Sequence, residues 1–181
     1  EGRHMKEKVT WEEHAYLRRL PVEAYRGHAV VHWSMSLEQR KTGWLTDVFH
    51  HRFRELLTHT AFRYHLICPC YVLMPDHHHL IWMGHEEPSD QRVATRFLRM
   101  QLNRILRPQG FELQKQGHDH VLREESRKQS VFETVAGYVR ENPLRAGLVE
   151  DLADYSYAGC LVPGYPELNI WSDGFWESFW K

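Results

Sequence analysis

Three consecutive histidines, His77-His78-His79, are the residues in this 181-residue chain whose types and spacing point most directly to chemistry. Side chains alternate across a β-strand, so on a strand His77 and His79 share one face and His78 points to the other. Two neutral imidazoles on one face can bind a single divalent cation. A solvent-facing histidine cluster would show the same spacing, so the triplet alone leaves both interpretations open.

Tyr138 and Asn142 form a second candidate pair, four residues apart on an expected helix. Side chains at that spacing project from one side of a helix. The helix is expected to end at Asn142, because a residue that precedes proline is pushed out of the α region. A tyrosine nucleophile is one interpretation. The other is a residue at the core boundary with its hydroxyl in water.

The formal net charge of −1 hides an uneven distribution. The stretch 91–109 contains five arginines and no acid, whereas residues 150–181 contain six acids and one lysine. Arg92, Arg96 and Arg99 share one face of a predicted helix, and the planar guanidinium group suits phosphate oxygens. A solvated helix face is the alternative. Because the stretch 91–109 has five arginines and no acid, a DNA contact is the favoured interpretation.

Hydrophobic periodicity predicts the elements that must position these residues. Alternation predicts the strands, and apolar residues three and four apart predict the helices. The hairpin turn is expected at Pro75-Asp76. The predicted order is strand 28–37, helix 44–63, strand 64–74, strand 77–83, a helix from Asp90 to before Pro108, and strand 118–123.

This β-α-β-β-α-β order predicts an α+β fold, a ferredoxin-like sandwich with an antiparallel sheet. Two helices would cover one face of the sheet and leave the other free for a ligand. A C-terminal helix bearing the tyrosine, and a tail, would follow. The longest apolar run is far shorter than the roughly 18–20 residues of a membrane span, so no membrane partner is expected.

Three strings carry a resemblance to a known family: YVLMPDHHHLIWMG, GHDHVLRE and YVRENPLRAGLV. They resemble the HUH single-tyrosine transposases, specifically the REP-associated tyrosine transposase branch. There a Met-Pro-Asn/Asp hairpin precedes His-hydrophobic-His, and the tyrosine helix ends in Asn-Pro-x-Arg-Ala-Gly-Leu. The resemblance covers residues 28–148, and its motifs occur in the family's order.

His78 departs from the family's pattern, because the family has an apolar residue there, facing the core. A buried histidine would need a hydrogen-bond partner, unless that edge of the sheet is wet.

The resemblance implies a metal-dependent endonuclease and strand transferase, a transposase that cleaves single-stranded DNA through a 5′-phosphotyrosine intermediate. His77 and His79 match the metal-binding pair, and Tyr138 matches the nucleophile. Asn142 matches the polar residue that can complete the coordination of Mg²⁺ or Mn²⁺. The expected DNA-binding residues are Arg92, Arg96, Arg99 and Arg123, and the roles of Asp119 and His120 stay unassigned.

The implied partner is single-stranded DNA with hairpin-containing repeats, and the implied location is the cytoplasm, associated with the nucleoid when DNA is bound. The resemblance allows a monomer or a homodimer that exchanges the tyrosine helix. Two other hypotheses remain: a catalytically silent protein of the same fold that binds single-stranded DNA hairpins, and a relaxase-like nickase. The target sequence and the physiological metal are left open.

No internal repeat or flexible linker divides the chain, so one globular unit is expected. Residues 1–4 look like a tag remnant, and residues 5–27 are expected to be an N-terminal extension. Residues 28–150 are expected to form the transposase-like domain, and residues 151–181 an aromatic, acidic segment packed on that domain. Aromatic side chains in that segment could stack on bases, but the neighbouring acids would repel phosphate. The three cysteines, Cys68, Cys70 and Cys160, are expected to be small, buried and reduced.

Overall fold

One antiparallel sheet, with the strand order β4-β1-β3-β2-β5, organises the chain. The structure is a computed structural model and describes residues 19–122 and 129–181. The expected tag remnant, most of the expected N-terminal extension and Arg123 lie outside the described residues. The strands are β1 (Val30–Ser36), β2 (Leu66–Met74), β3 (His77–Gly84), β4 (His118–Leu122) and β5 (Ala158–Leu161).

The first four strands confirm the ferredoxin-like α+β fold that the sequence predicts. β1 pairs with both β3 and β4, and β2 pairs with β3, all antiparallel. The fifth strand was not predicted. β5 follows the tyrosine helix and pairs with the outer side of β2. Its four residues are too few to show a clear period in the sequence.

Two long helices cover one face of the sheet, which we call the helical face. The Thr46 side chain caps the first by accepting a hydrogen bond from the Phe49 amide at 3.1 Å, and Asp90 caps the second through the Arg92 and Val93 amides. The α-helices of the described residues are α1 (Asp47–Arg63), α2 (Gln91–Leu106), α3 (Gln129–Arg140), α4 (Asn142–Arg145) and α5 (Phe175–Phe179).

The larger hydrophobic core lies between the helical face and helices α1 and α2. Trp33 on β1 and Trp82 on β3 are 1% and 0% exposed there, and Phe53 of α1 is equally buried. The position of Trp33 follows the alternation of the strand predicted at 28–37, in which every second side chain is apolar.

The opposite face, which we call the histidine face, is not left free as the sequence led us to expect. β2 is buried along both sides, so its second set of apolar side chains also needs cover. Helix α3 supplies it together with the C-terminal segment. The resulting second core contains Cys70, Val72, Met74, Phe132, Ala136 and Val139.

The C-terminal segment packs its aromatic side chains against α3. Phe132 of α3 contacts the rings of Trp176, Phe179 and Trp180. Trp180 also donates a hydrogen bond from Nε1 to Glu133 at 3.0 Å. This packing leaves Trp176 and Phe179 half-buried, whereas Trp180 is still 38% exposed. Within the part of the chain that the structure describes, none of the helices combines the length and apolar character needed to cross a bilayer.

His78 lies in the core of the helical face and is 1% exposed. Its ring meets the edge of Phe53 at 5.8 Å between centroids, and its Nε2 atom has no hydrogen-bond partner. Burial, with a smaller contribution from His77, lowers the pKa of His78 to about 3, so the ring is neutral. β3 is the central strand of the sheet, so His78 is enclosed by the core rather than placed at a wet sheet edge, and its Nε2 atom lacks the partner that burial calls for.

Replacing His78 by leucine removes this unpaired nitrogen while keeping a side chain of similar size. We expect His78→Leu to raise the free energy of unfolding by about 1 kcal/mol, measured by urea denaturation. The exposed His28 serves as the matched control, and His28→Leu should leave stability unchanged. A large loss of stability in His78→Leu would mean that Nε2 is satisfied in solution.

Candidate functional site

The β2–β3 hairpin positions the histidines through a turn of two residues, Pro75 and Asp76. Two long-range hydrogen bonds hold this turn. Trp44 donates from Nε1 to the Pro75 carbonyl at 2.6 Å, and the Leu37 amide donates to the Asp76 carbonyl at 2.9 Å. Because the turn is held, the register of the first residues of β3 is held with it.

His77 and His79 share the histidine face, and their Nε2 atoms lie 3.0 Å apart. The two rings are nearly perpendicular, at 85°. His77 also places its Nδ1 atom 2.6 Å from the Asp76 carboxylate, which forms an ion pair with Arg40 at 3.2 Å. A carboxylate on the far nitrogen of an imidazole is the arrangement that orients histidine ligands in metal sites.

A third histidine, His32 on β1, completes this cluster and was not among the predicted site residues. Its Nε2 atom lies 3.0 Å from Nδ1 of His79. The alternation of β1 put His32 on the outward face, but only the pairing of β1 with β3 brings it to His79. Burial lowers the pKa of His79 to about 3 and that of His32 to about 4, with neighbouring charges adding to each effect, so both rings are neutral.

The tyrosine helix packs beside the histidine pair. Val72 and Met74 on β2 are the cross-strand partners of His79 and His77, so all four side chains lie on the histidine face. Val72 and Met74 are also in the core that α3 covers, together with Val139. The sheet register thus places the segment that carries Tyr138 next to the strand that carries the histidines.

Tyr138 itself is 61% exposed. The Arg145 guanidinium stacks on its ring at 3.9 Å, donates to the Tyr138 carbonyl and forms an ion pair with Glu141 at 3.3 Å. Burial is the main cause of the lowered pKa of His79, and the positive charge of Arg145 adds a small contribution to it. Among the described residues, no hydrogen bond or ring contact joins Tyr138 directly to His77 or His79.

Asn142 lies four residues beyond Tyr138 and is the first residue of α4, whereas the sequence predicted that the tyrosine helix ends at Asn142 with this residue outside the α region. Its Nδ2 atom donates to the carbonyl oxygens of Val139 at 2.9 Å and Tyr138 at 3.3 Å, which satisfies the end of α3. The side chain is therefore used as a helix cap. In residues 19–122 and 129–181, no group of three or more His, Cys, Asp or Glu side chains is arranged to hold a metal ion.

Three of the four predicted basic residues lie on the other side of the sheet from the histidine pair. Arg92, Arg96 and Arg99 line one pocket between α2 and β1, on the helical face.

The two residues whose roles the sequence left unassigned, Asp119 and His120, lie on opposite faces of β4. Asp119 accepts hydrogen bonds from Arg19 at 2.7 Å and from the Tyr25 hydroxyl at 2.6 Å. His120 is exposed on the histidine face opposite His32.

Comparison with solved structures finds this fold in a REP-associated tyrosine transposase bound to a REP hairpin. The TM-score is 0.65 at 18% sequence identity, over 80% of this chain and 81% of that one. At this identity the similarity shows a shared fold. No protein-family model and no curated protein matches the chain.

The stacking of Arg145 on Tyr138 predicts a measurable coupling between the two side chains. In a double-mutant cycle of Tyr138→Ala and Arg145→Met, the coupling in unfolding free energy should be about 0.5–1 kcal/mol. Urea denaturation of the four proteins measures it. The pair Tyr138→Ala and Arg104→Met, with Arg104 on α2, is the control and should be additive. Additivity in the Arg145 cycle would contradict the stacked arrangement.

Proposed function

We propose that the protein is a metal-dependent endonuclease and strand transferase, a transposase that cleaves single-stranded DNA through Tyr138. One observation carries the proposal: the facing imidazoles of His77 and His79 lie beside the helix that bears an exposed tyrosine. The fold shared with a REP-associated tyrosine transposase supports it.

The histidine pair fits a divalent cation on the chemistry of its nitrogen atoms. When His77 donates from Nδ1 to Asp76 and His79 donates from Nδ1 to His32, both Nε2 lone pairs face each other. Two lone pairs at 3.0 Å repel unless a cation or a proton lies with them. The neutral state of His79 is also the state in which an imidazole binds a metal.

His77 and His79 would hold the ion as Mg²⁺ or Mn²⁺, and Asn142 would have to release a helix carbonyl to join them through its amide. A divalent cation bound here would polarise the scissile phosphate and neutralise charge on its oxygens. Asp76 and His32 would act through their hydrogen bonds by fixing the tautomer of each ligand.

Tyr138 would attack phosphorus through its phenolic oxygen. The new O–P bond forms as the bond from phosphorus to the 3′ oxygen breaks, which leaves a 5′-phosphotyrosine and a free 3′-OH. The phenol proton is lost to water, and the departing 3′ oxygen takes one up, so the step is balanced. The 3′-OH of another strand can reverse this chemistry and join DNA. Arg145, which stacks on the Tyr138 ring, would attract the phosphate through its positive charge.

The DNA partner in this proposal is a single strand that contains hairpin repeats, as the bound hairpin of the fold neighbour supports. The arginines of α2 would contact its backbone phosphates. The cytoplasm, with DNA association, is the corresponding location. A second candidate is a catalytically silent hairpin-binding protein. The absence, within the described residues, of a contact between Tyr138 and the histidine pair favours it.

Covalent capture of DNA separates the two candidates. With Mn²⁺ and labelled single strands that carry hairpin repeats, the purified protein should form an adduct that survives denaturing electrophoresis. Tyr138→Phe should abolish the adduct and keep DNA binding, because only the nucleophilic oxygen is removed. The exposed Tyr165 provides the matched control, and Tyr165→Phe should keep the adduct. Hairpin binding without an adduct on strands taken from the neighbouring genomic repeats would favour the silent protein.

Metal binding can be measured without catalysis. Titration calorimetry should detect one Mn²⁺ per chain, and His77→Ala or His79→Ala should weaken binding by tenfold or more, a range of about 10–100-fold being typical for disrupted sites. EDTA should remove the adduct activity, and Mn²⁺ should restore it. His118→Ala, which changes an exposed histidine of β4, should leave the affinity unchanged. Equal affinity in all variants would place any bound metal elsewhere.

A further inference from the structure

A basic pocket of about 160 Å³ lies on the helical face, between α2, β1 and the loop that leads into β4. The histidine pair is on the other face of the sheet, so the two features are separate. Five positively charged side chains surround the pocket, and two apolar side chains form part of its wall. The lining residues that matter here are Arg19, Arg92, Arg96, Arg99, Lys115 and Thr95, with Trp33 and Met35.

The positive charge of this pocket is only partly neutralised. Arg19 forms an ion pair with Asp119 at 2.7 Å. Glu112 acts electrostatically on Arg99 and Lys115, but its carboxylate is hydrogen-bonded to Arg107 at 2.6 Å. Among the described residues, the other four cations of the pocket form no ion pair with a carboxylate. Gathering like charges without counterions is unfavourable, so the pocket favours an anion.

Thr95 provides an independent observation. Its side chain lines the pocket and is 6% exposed, and its Oγ1 atom has no hydrogen-bond partner. A threonine in a helix can return its hydroxyl proton to a carbonyl of the preceding turn, as Thr58 and Thr60 do in α1. The Thr95 hydroxyl does not do so, and it remains available to a ligand in the pocket.

One wall of the pocket holds the Arg19 guanidinium in place before any ligand arrives. The Arg19 guanidinium lies over the Trp33 ring at 5.1 Å and is tied to Asp119 and to the Gly117 carbonyl. Trp33 is itself fixed by its Nε1 hydrogen bond to Gln91 at 3.3 Å. Groups that are already ordered lose less conformational entropy on binding.

We propose that this pocket binds one phosphate group of a nucleic acid strand, with the Thr95 hydroxyl and the guanidinium groups of α2 as hydrogen-bond donors. As a contact for the DNA substrate, this inference rests on the proposed function. Phosphate oxygens accept hydrogen bonds in the planar geometry that arginine offers. Because β4 is the edge of the sheet, a strand that reaches both the histidine pair and the pocket passes around β4.

Thr95→Val tests the proposal because it removes the hydroxyl and keeps the shape of the side chain. Binding of a fluorescent single-stranded hairpin oligonucleotide to the full-length protein in EDTA should weaken about tenfold, since one hydrogen bond to a charged group is lost. The midpoint of thermal unfolding should stay unchanged or rise, because an unpaired buried hydroxyl is removed. Thr58→Val in α1 is the control and should leave DNA affinity unchanged.

Arg96→Gln tests the charge, with Arg104→Gln on the same helix as its matched control. Arg96→Gln should weaken binding about tenfold and reduce the slope of log affinity against log salt concentration by about one, whereas Arg104→Gln should do neither.

Competition by inorganic phosphate, and a comparison of 5′-phosphorylated with 5′-hydroxyl oligonucleotides, identify the source of the phosphate. Equal affinity of the two oligonucleotides assigns an internal phosphodiester, and a preference for the phosphorylated one assigns the strand end.

The proposal is overturned if Thr95→Val lowers stability and leaves affinity unchanged, because the hydroxyl then has a structural partner. It is also overturned if Arg96→Gln and Arg104→Gln have equal effects, because the charge then acts without a defined pocket. Failure of the proposed function gives a different result. In that case Tyr138 forms no adduct on any strand, while the pocket variants still change binding.

Discussion

The register of the β2–β3 hairpin is the constraint on which the candidate site depends. Side chains alternate along β3, so a shift of one residue would turn His77 and His79 into the core and bring His78 out. The two-residue turn, held by bonds from Trp44 and Leu37, prevents that shift. The same register pairs the histidines with Val72 and Met74, the side chains on which the tyrosine helix packs.

The two buried faces of the sheet carry side chains of different chemistry. The helical face holds the larger core and, at its edge, a pocket rich in unpaired cations. The histidine face holds neutral imidazoles, because burial disfavours their charged forms. The cationic groups, which suit phosphate, and the neutral imidazole nitrogens, which suit a metal, thus lie on opposite faces of one sheet. The edge strand β4 is the border between these two faces.

The end of α3 combines a buried anchor with an exposed phenol. Val139 is fully buried, and the adjacent Tyr138 points into solvent under the Arg145 guanidinium. Asn142 and Arg145 both bond to carbonyls at the end of this helix, and the short helix α4 begins at Asn142, directly before Pro143. The helix end is therefore stabilised by the same residues that the resemblance to transposases singled out.

The sequence by itself determined the four strands of the ferredoxin-like core, the position of the hairpin turn, and the shared face of His77 and His79. These features depend on local periodicity and turn chemistry, which short stretches encode. Only the tertiary structure decided that His32 reaches His79, that β5 extends the sheet, and that α3 covers the histidine face. It also decided that Arg19 and Lys115 join the α2 side chains around one pocket. Each of these depends on pairing or packing between segments distant in sequence, and no local pattern carries that information.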